Sequence, residues 1–329
     1  MSRGACPGLP FYLKEGGASM IVTVTLNPAV DEEFIVSDFQ PGGWFRSRNA
    51  NRSPGGKGIN VSLLMSQLGY ESAAMGFLAG FNGGYIRDVL RREKITTNFV
   101  HVKGETRTNV YIVDDTGHVE TGISEPGPFI PEEAFDLFLT NFERMLKRAD
   151  LVVMGGSLPP GVPQDSYARL ITMAKDQKVP VWIDAAGAPL MSGLEAAPNV
   201  AKIDHRFMSK ISGVSLTSLD NLIEVVSRLH DQGIEWAVTS YHTYGDVFFT
   251  PEGIYLALID RRTVISLFGA SDALIAGMVL AWKENMNVED TIRFALACAW
   301  DDATRVEKGF KSREAIEQRI PLVKLEKLK

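Results

Sequence analysis

The sequence predicts an α/β protein: a mostly parallel central sheet with helices on both faces, and a small separate β-sheet. Three observations predict it. Apolar, β-branched runs such as "MIVTVTL" (Met20–Leu26) and "DLVVMGG" (Asp150–Gly156) read as buried strands. From Pro131 onward such runs alternate with stretches of helical length, the pattern of parallel strands joined by crossover helices. Residues 32–52 and 106–124 follow a different rule, short β-like runs broken by turn residues, and form the small sheet.

The elements follow in order. Met20–Leu26 opens the core sheet and is followed by "NPAVD", in which Asn27-Pro28 is a turn and Asp31 points beyond it. "GGKGINVSLLMSQLGY" (Gly55–Tyr70) is a glycine-rich turn entering a helix, with Ile59, Val61, Leu63, Leu64 and Leu68 apolar. "ESAAMGFLAG" (Glu71–Gly80) is a second core strand, and Gly83–Arg92 is a short helix. "RTNVYIVDDTGHVETGIS" (Arg107–Ser124) alternates and turns at Asp115–Gly117, a hairpin of the small sheet. Helices at 131–148, 165–177 and 217–232 lead into strands at 150–156, 180–186 and 235–241. A hairpin near Val247–Leu258 precedes a helix containing Asp272 and another at Val288–Glu307.

Composition narrows the function classes. The chain has 329 residues, 45% hydrophobic and 22% charged, an ordinary globular balance. Net charge of −6 gives no nucleic-acid footprint, while an anionic small substrate remains open, because local basic residues decide that. Cys6 and Cys298 form neither a disulfide framework nor a metal cluster, which fits a reducing cytoplasm. No apolar run has transmembrane length. His101, His118, His205, His230 and His242 are scattered without metal or nucleophile spacing. Residues 1–19 are rich in Gly and Pro, without period. Back-translated, Lys14-Glu15-Gly16 can be spelled as a purine run like a bacterial ribosome-binding site. The expectation is a translated or disordered leader over 1–19 and a single domain over 20–329.

Ligands of such a sheet bind beyond the carboxyl ends of its strands, where the candidate motifs fall. "SLFGASDALIAG" (Ser266–Gly277) is a small-residue turn entering an apolar helix. Backbone N–H groups of Gly269, Ala270, Ser271 and Asp272 could hold an anion there, with Asp272 as a base beside it. Alone, such a stretch is more often only a helix cap. "SPGGKGIN" (Ser53–Asn60) pairs Gly55 and Gly56, which allow close approach, with Lys57, which can neutralise an oxyanion. It lacks the spacing of a Walker A loop. In "TLNPAVD" (Thr25–Asp31), Asp31 could bind sugar hydroxyls or be a surface turn residue. In "GETRTN", Arg107 and Asn109 fall on one face of a strand and suit a phosphate and a hydroxyl. "GGSLPPG" (Gly155–Gly161) follows a buried strand at the same edge.

Taken together and in this order, "TVTLNPAVD" (Thr23–Asp31), "GGKGINVS" (Gly55–Ser62), "GETRTN" (Gly104–Asn109) and "GGSLPPG" resemble the PfkB, ribokinase-like carbohydrate kinases. The 1-phosphofructokinase and tagatose-6-phosphate kinase branch is the nearest in pattern, and the resemblance runs from Met20 to the end. It implies a ribokinase-like three-layer sandwich with a small β-sheet lid, often completed by dimerisation. It implies a ketohexose phosphate as substrate and ATP with magnesium as phosphoryl donor. Asp31 and Asn60 would hold sugar hydroxyls. Lys57, Arg107 and Arg46 would hold the phosphate already on the sugar, with Asn109 assisting. Asp272 would be the base and the 269–272 turn the anion hole. Lys202, Ser240 and Gly245 match nucleotide-side positions.

Departures from the family pattern cluster on that nucleotide side. Ser271 stands where the family has glycine, so its Cβ is expected to restrict the turn, and Ser266-Leu267 replace Asn/Asp-Pro/Thr. In "KIDHRFM", Lys202 matches, Asp204 replaces Asn and Phe207 replaces Glu. In "SYHTYG", Ser240 and Gly245 match and His242 replaces Gly. "DAAG" at Asp184–Gly187 keeps its aspartate. Two readings follow: a working sugar-phosphate kinase, or an impaired member that binds a sugar phosphate as a sensor or partner protein.

Overall fold

The computed structural model describes residues 20–329 apart from 118, 205–218, 241–244, 261–263 and 306–307. The expected leader, Phe207 and His242 lie outside the described residues. Two sheets organise the chain. The larger contains β1 (Met20–Thr25), β4 (Ser72–Ala79), β5 (Thr96–Val102), β8 (Ala149–Gly155), β9 (Val181–Asp184), β10 (Val200–Ile203) and β11 (Trp236–Ser240). These run parallel in the order β5-β4-β1-β8-β9-β10-β11. Next to β11, three antiparallel strands extend the sheet: β12 (Gly245–Thr250), β13 (Gly253–Leu258) and β14 (Lys324–Lys327). The small sheet contains β2 (Ala29–Val36), β3 (Asn49–Gly55), β6 (Arg107–Asp114) and β7 (Val119–Ser124), in the order β3-β2-β6-β7.

Helices cover both faces of the main sheet. One face carries α3 (Glu132–Leu146), α4 (Ser166–Asp176), α5 (Gly187–Glu195) and α6 (Leu219–Asp231). The other carries α1 (Lys57–Gln67), α2 (Gly80–Arg92), α7 (Ala270–Lys283), α8 (Val288–Ala303) and the short α9 (Arg313–Arg319). With helices on both sides, the central strands have no wet face, so β4 is buried throughout and β1 nearly so. α3 seats Phe135, Phe138, Phe142 and Leu146 on one stripe, and the Phe138 ring lies 5.3 Å from Phe77 of β4. α7 is apolar all round and is buried from Asp272 to Trp282. It meets α8 closely: a Cβ on Gly277 would stand 2.8 Å from the Ala295 Cα. α8 starts where the Asn287 side chain accepts from the Asp290 N–H at 2.9 Å. Among the described residues, no helix is long and apolar enough to cross a membrane.

The topology creates a crevice. From β1 the chain moves outward to β4 and β5, then returns to β8 on the opposite side of β1. Connections leave the carboxyl ends of β1 and β8 in opposite directions, and a cleft opens between them. The small sheet stands over this edge, because β2 starts directly after Asn27-Pro28. It is held there by the Tyr111 and Phe268 rings, 4.2 Å apart, and by the Leu267 N–H donating to Glu120 at 3.2 Å. Asp31 lies in β2, beyond the Asn27-Pro28 turn, where pairing of Ala29 with Arg107 starts the strand.

Candidate active site

Two helix N-termini meet in the crevice. Gly269 precedes α7 with φ 95°, a left-handed conformation that favours glycine, and a Cβ there would stand 2.9 Å from the Asp302 Oδ2. Ser271 and Asp272 follow in the first turn, where N–H groups lack intrahelical partners and the helix dipole favours an anion. α1 enters from Gly56, at φ 118°, with Lys57 and Asn60 three residues apart on one face. Gly55 is glycine for a different reason: a Cβ would stand 2.3 Å from the Asp31 carboxylate.

The two turns lock together through side chains. Asn60 Nδ2 donates to Asp272 Oδ2 at 2.6 Å, and Lys57 Nζ lies 3.2 Å from Asp272 Oδ1. Lys57 Nζ also lies 3.0 Å from Asp184 Oδ2 and donates to Ser271 Oγ at 3.3 Å. The Ser271 hydroxyl in turn donates to Asp184 Oδ2 at 2.8 Å. Burial alone would pull the Lys57 ammonium's pKa down; Asp184 and Asp272 outweigh it and hold it above the usual range. Burial would likewise raise the Asp184 carboxyl, but Lys57 and Lys202 outweigh it and hold it below the usual range. Lys57 and Asp184 are therefore held in their charged forms, and the Asp272 side chain is oriented by Asn60 and Lys57 at the start of α7.

The expected conflict at Ser271 does not arise. The left-handed residue of this turn is Gly269, while Ser271 lies inside α7 and is not among the residues with positive φ. Its backbone needs no left-handed conformation, and its hydroxyl joins Lys57 to Asp184.

A second group of candidate residues lies on the small sheet. Asp31 on β2 faces Asn109 on β6 in register, and Asn109 Nδ2 donates to Asp31 Oδ1 at 2.8 Å. Asp31 Oδ2 accepts from Lys308. A cavity of about 210 Å³ lies here, lined by Asp31, Ser53, Tyr111, Phe268 and Lys308 among others. Arg107 opens β6 beside a second cavity of about 400 Å³, which the "GGSLPPG" turn also lines. Its guanidinium donates to the carbonyls of Asn27 at 3.3 Å and Glu125 at 3.2 Å. Arg46 is exposed in the connection from β2 to β3 and takes part in none of these contacts. Lys202, Ser240 and Gly245 gather at the carboxyl end of β10 and β11, with Lys202 Nζ donating to Ser240 Oγ at 3.3 Å. Gly245 is required by packing there, since a Cβ would stand 2.5 Å from the Ala257 carbonyl oxygen.

Sequence reasoning missed Lys308, Asp302 and Tyr111. Lys308 and Asp302 follow the last motif and carry no spacing that marks them; their position depends on how the chain turns back after α8.

A profile of the pfkB family of carbohydrate kinases matches residues 25–305. The chain belongs to that family. Over 309 residues it is 36% identical to a 1-phosphofructokinase of Bacillus subtilis (strain 168), covering 94% of this chain and all of that one. It is 32% identical to a 1-phosphofructokinase of Borreliella burgdorferi, covering 84% of this chain and 90% of the relative. A Thermotoga maritima crystal structure described as a possible 1-phosphofructokinase superimposes with TM-score 0.88 at 35% identity, over 94% of this chain and all of that one. This pfkB kinase is thus a phosphotransferase with the ribokinase-like fold. Among its described residues, no group of three acidic, histidine or cysteine side chains could cage a metal.

Proposed function

We propose that this kinase transfers the γ-phosphoryl group of ATP to the free primary hydroxyl of fructose 1-phosphate. The observation that carries the reading is the Asp272 carboxylate, oriented by Asn60 and Lys57 at the N-terminus of α7. The acceptor oxygen forms its bond to the γ-phosphorus as its proton passes to Asp272. The bond from that phosphorus to the β–γ bridging oxygen breaks, and ADP leaves with the electron pair. Lys57 and the N–H groups of Ser271 and Asp272 neutralise charge on the transferring group. Asp31 and Asn109 hold sugar hydroxyls, and Arg107 holds the phosphate already on the sugar. Bound magnesium would supply further charge neutralisation on the nucleotide phosphates.

An active kinase, rather than a sugar-phosphate binder alone, is favoured by Ser271, whose hydroxyl strengthens the catalytic cluster instead of blocking it. The small sheet acts as a lid, and its exposed Trp44 and Ile123 suit pairing with a second copy of the chain in the cytoplasm. The test is ADP release with ATP, magnesium and fructose 1-phosphate, fructose 6-phosphate or tagatose 6-phosphate. Highest kcat/KM with fructose 1-phosphate is expected. Binding of that sugar without turnover of any would contradict the reading and leave a binder.

A further inference from the structure

Lys308 is an unusual occupant of the acceptor pocket. It arrives from the segment after α8, far in sequence from the small sheet, yet its ammonium pairs with Asp31. Among the described residues its hydrogen-bonding partner is Asp31, and the Tyr111 ring lies 5.7 Å away. An ammonium has three N–H donors, so further donors are available to the cavity that Lys308 lines. Asp31 is similarly unsaturated. Asn109 takes one site on Oδ1 and Lys308 one on Oδ2, while two carboxylate oxygens offer about four lone-pair sites. The pocket thus presents a charged donor and a charged acceptor side by side. A sugar hydroxyl satisfies both at once, because it donates one hydrogen and accepts another.

Lys308 is held in place by a specific brace. Asp302, at the end of α8, accepts the Gly309 N–H at 2.7 Å through Oδ1. The next residue is tied to α1, where Gln67 Oε1 accepts the Phe310 N–H at 2.7 Å. Asp302 Oδ2 is buried against Gly269 and, among the described residues, has no hydrogen-bond partner. One carboxyl group therefore touches both the lysine segment and the turn that starts α7.

Resting on the kinase reading above, we propose that Lys308 and Asp31 together read one hydroxyl of the acceptor sugar, with Asp302 as the residue that positions Lys308. Lys308 is then a specificity-determining residue. A sugar lacking that hydroxyl leaves one Lys308 N–H and one Asp31 lone pair unmet in a buried site, which is why such a pair discriminates. Burial would lower the Lys308 pKa, but Asp31 outweighs it and keeps the ammonium charged.

The test compares kcat/KM for fructose 1-phosphate with that for each mono-deoxy analogue that keeps the acceptor hydroxyl, in the wild type and Lys308→Met. In the wild type, one analogue is expected to lose about 10- to 100-fold more than in the variant, as a hydrogen bond to a charged group would give. In Lys308→Met, that penalty collapses while penalties at the other positions stay. Identical penalty patterns in both proteins would overturn the assignment. If Lys308→Met fails to fold, Lys308→Arg, which keeps the charge on Asp31, must alter the same penalty, and an unchanged pattern overturns the proposal equally. Asp302→Ala should raise KM with kcat less affected, and Asp302→Asn, which keeps the acceptor for the Gly309 N–H, should restore it. Absence of wild-type turnover and binding with fructose 1-phosphate would instead overturn the kinase reading itself.

Discussion

Asp302 should make this kinase less stable as pH rises, and Asp302→Asn should reverse that. Burial pushes its carboxyl up to about 7; Asp272 adds to the effect, while the Gly309 N–H, Lys308 and Arg305 oppose it. Between the ordinary carboxylate range and pH 7 the folded chain holds a proton that the unfolded chain has released. Stability from this group therefore falls as pH rises through that window and is fully lost above it. Roughly three pH units at about 1.4 kcal/mol each set a ceiling of ~4 kcal/mol, and relaxation around the charge lowers this to ~2 kcal/mol. For 329 residues, an unfolding entropy of about 2 cal/mol/K per residue converts this to roughly 3 to 6 °C in Tm. Asparagine preserves an oxygen for the Gly309 N–H and carries no charge. Calorimetry at pH 5 and pH 8.5 is the assay. Only about two of those three pH units lie between pH 5 and pH 8.5, so the variant should melt roughly 2 to 4 °C higher relative to wild type at pH 8.5 than it does at pH 5. An equal offset at both pH values would refute the claim that a buried, titrating Asp302 limits stability.

Other outcomes follow from the same contacts. Ser271→Ala removes the hydroxyl bridging Lys57 and Asp184 and should lower kcat about tenfold, the scale of one hydrogen bond to a charged group; higher turnover would revive the view of serine as damage. Lys57→Met should cost about 10²–10³ in kcat while calorimetric affinity for fructose 1-phosphate changes only several-fold. A large loss of sugar affinity instead would place Lys57 on the sugar's own phosphate. Asp31→Asn should raise KM for the sugar far more than KM for ATP in steady-state kinetics, and equal rises would remove Asp31 from the acceptor pocket.

Much of this architecture was legible because local chemistry and global fold agree. Met20–Thr25 and Ala149–Gly155 are apolar and β-branched, and only a doubly covered sheet can use such runs. Asp272, Lys57 and Asn60 were legible because short motifs fix them at helix starts. Less was readable where the signal was weak: β5, "TTNFVHV", mixes polar and apolar positions, and α5 contains glycine and proline. The backbone at Ser271 was not legible because a sequence does not reveal which residue of a turn takes the left-handed conformation; here Gly269 does. Lys308 was invisible because its partner, Asp31, lies 277 residues away. Only the packing of α8 against α7 and the return of the chain past Gly309 bring the two together.

The most direct test of the account is Asp272→Asn, assayed for ADP release with fructose 1-phosphate and for binding of that sugar by calorimetry. The side chain keeps its size and an oxygen for Asn60 but cannot accept the hydroxyl proton as a carboxylate does. The account predicts a fall in kcat of about 10²–10⁴, the range of general-base catalysis, with sugar binding retained. Turnover within a few-fold of wild type would contradict it, because the oriented carboxylate at the start of α7 would then not be the base.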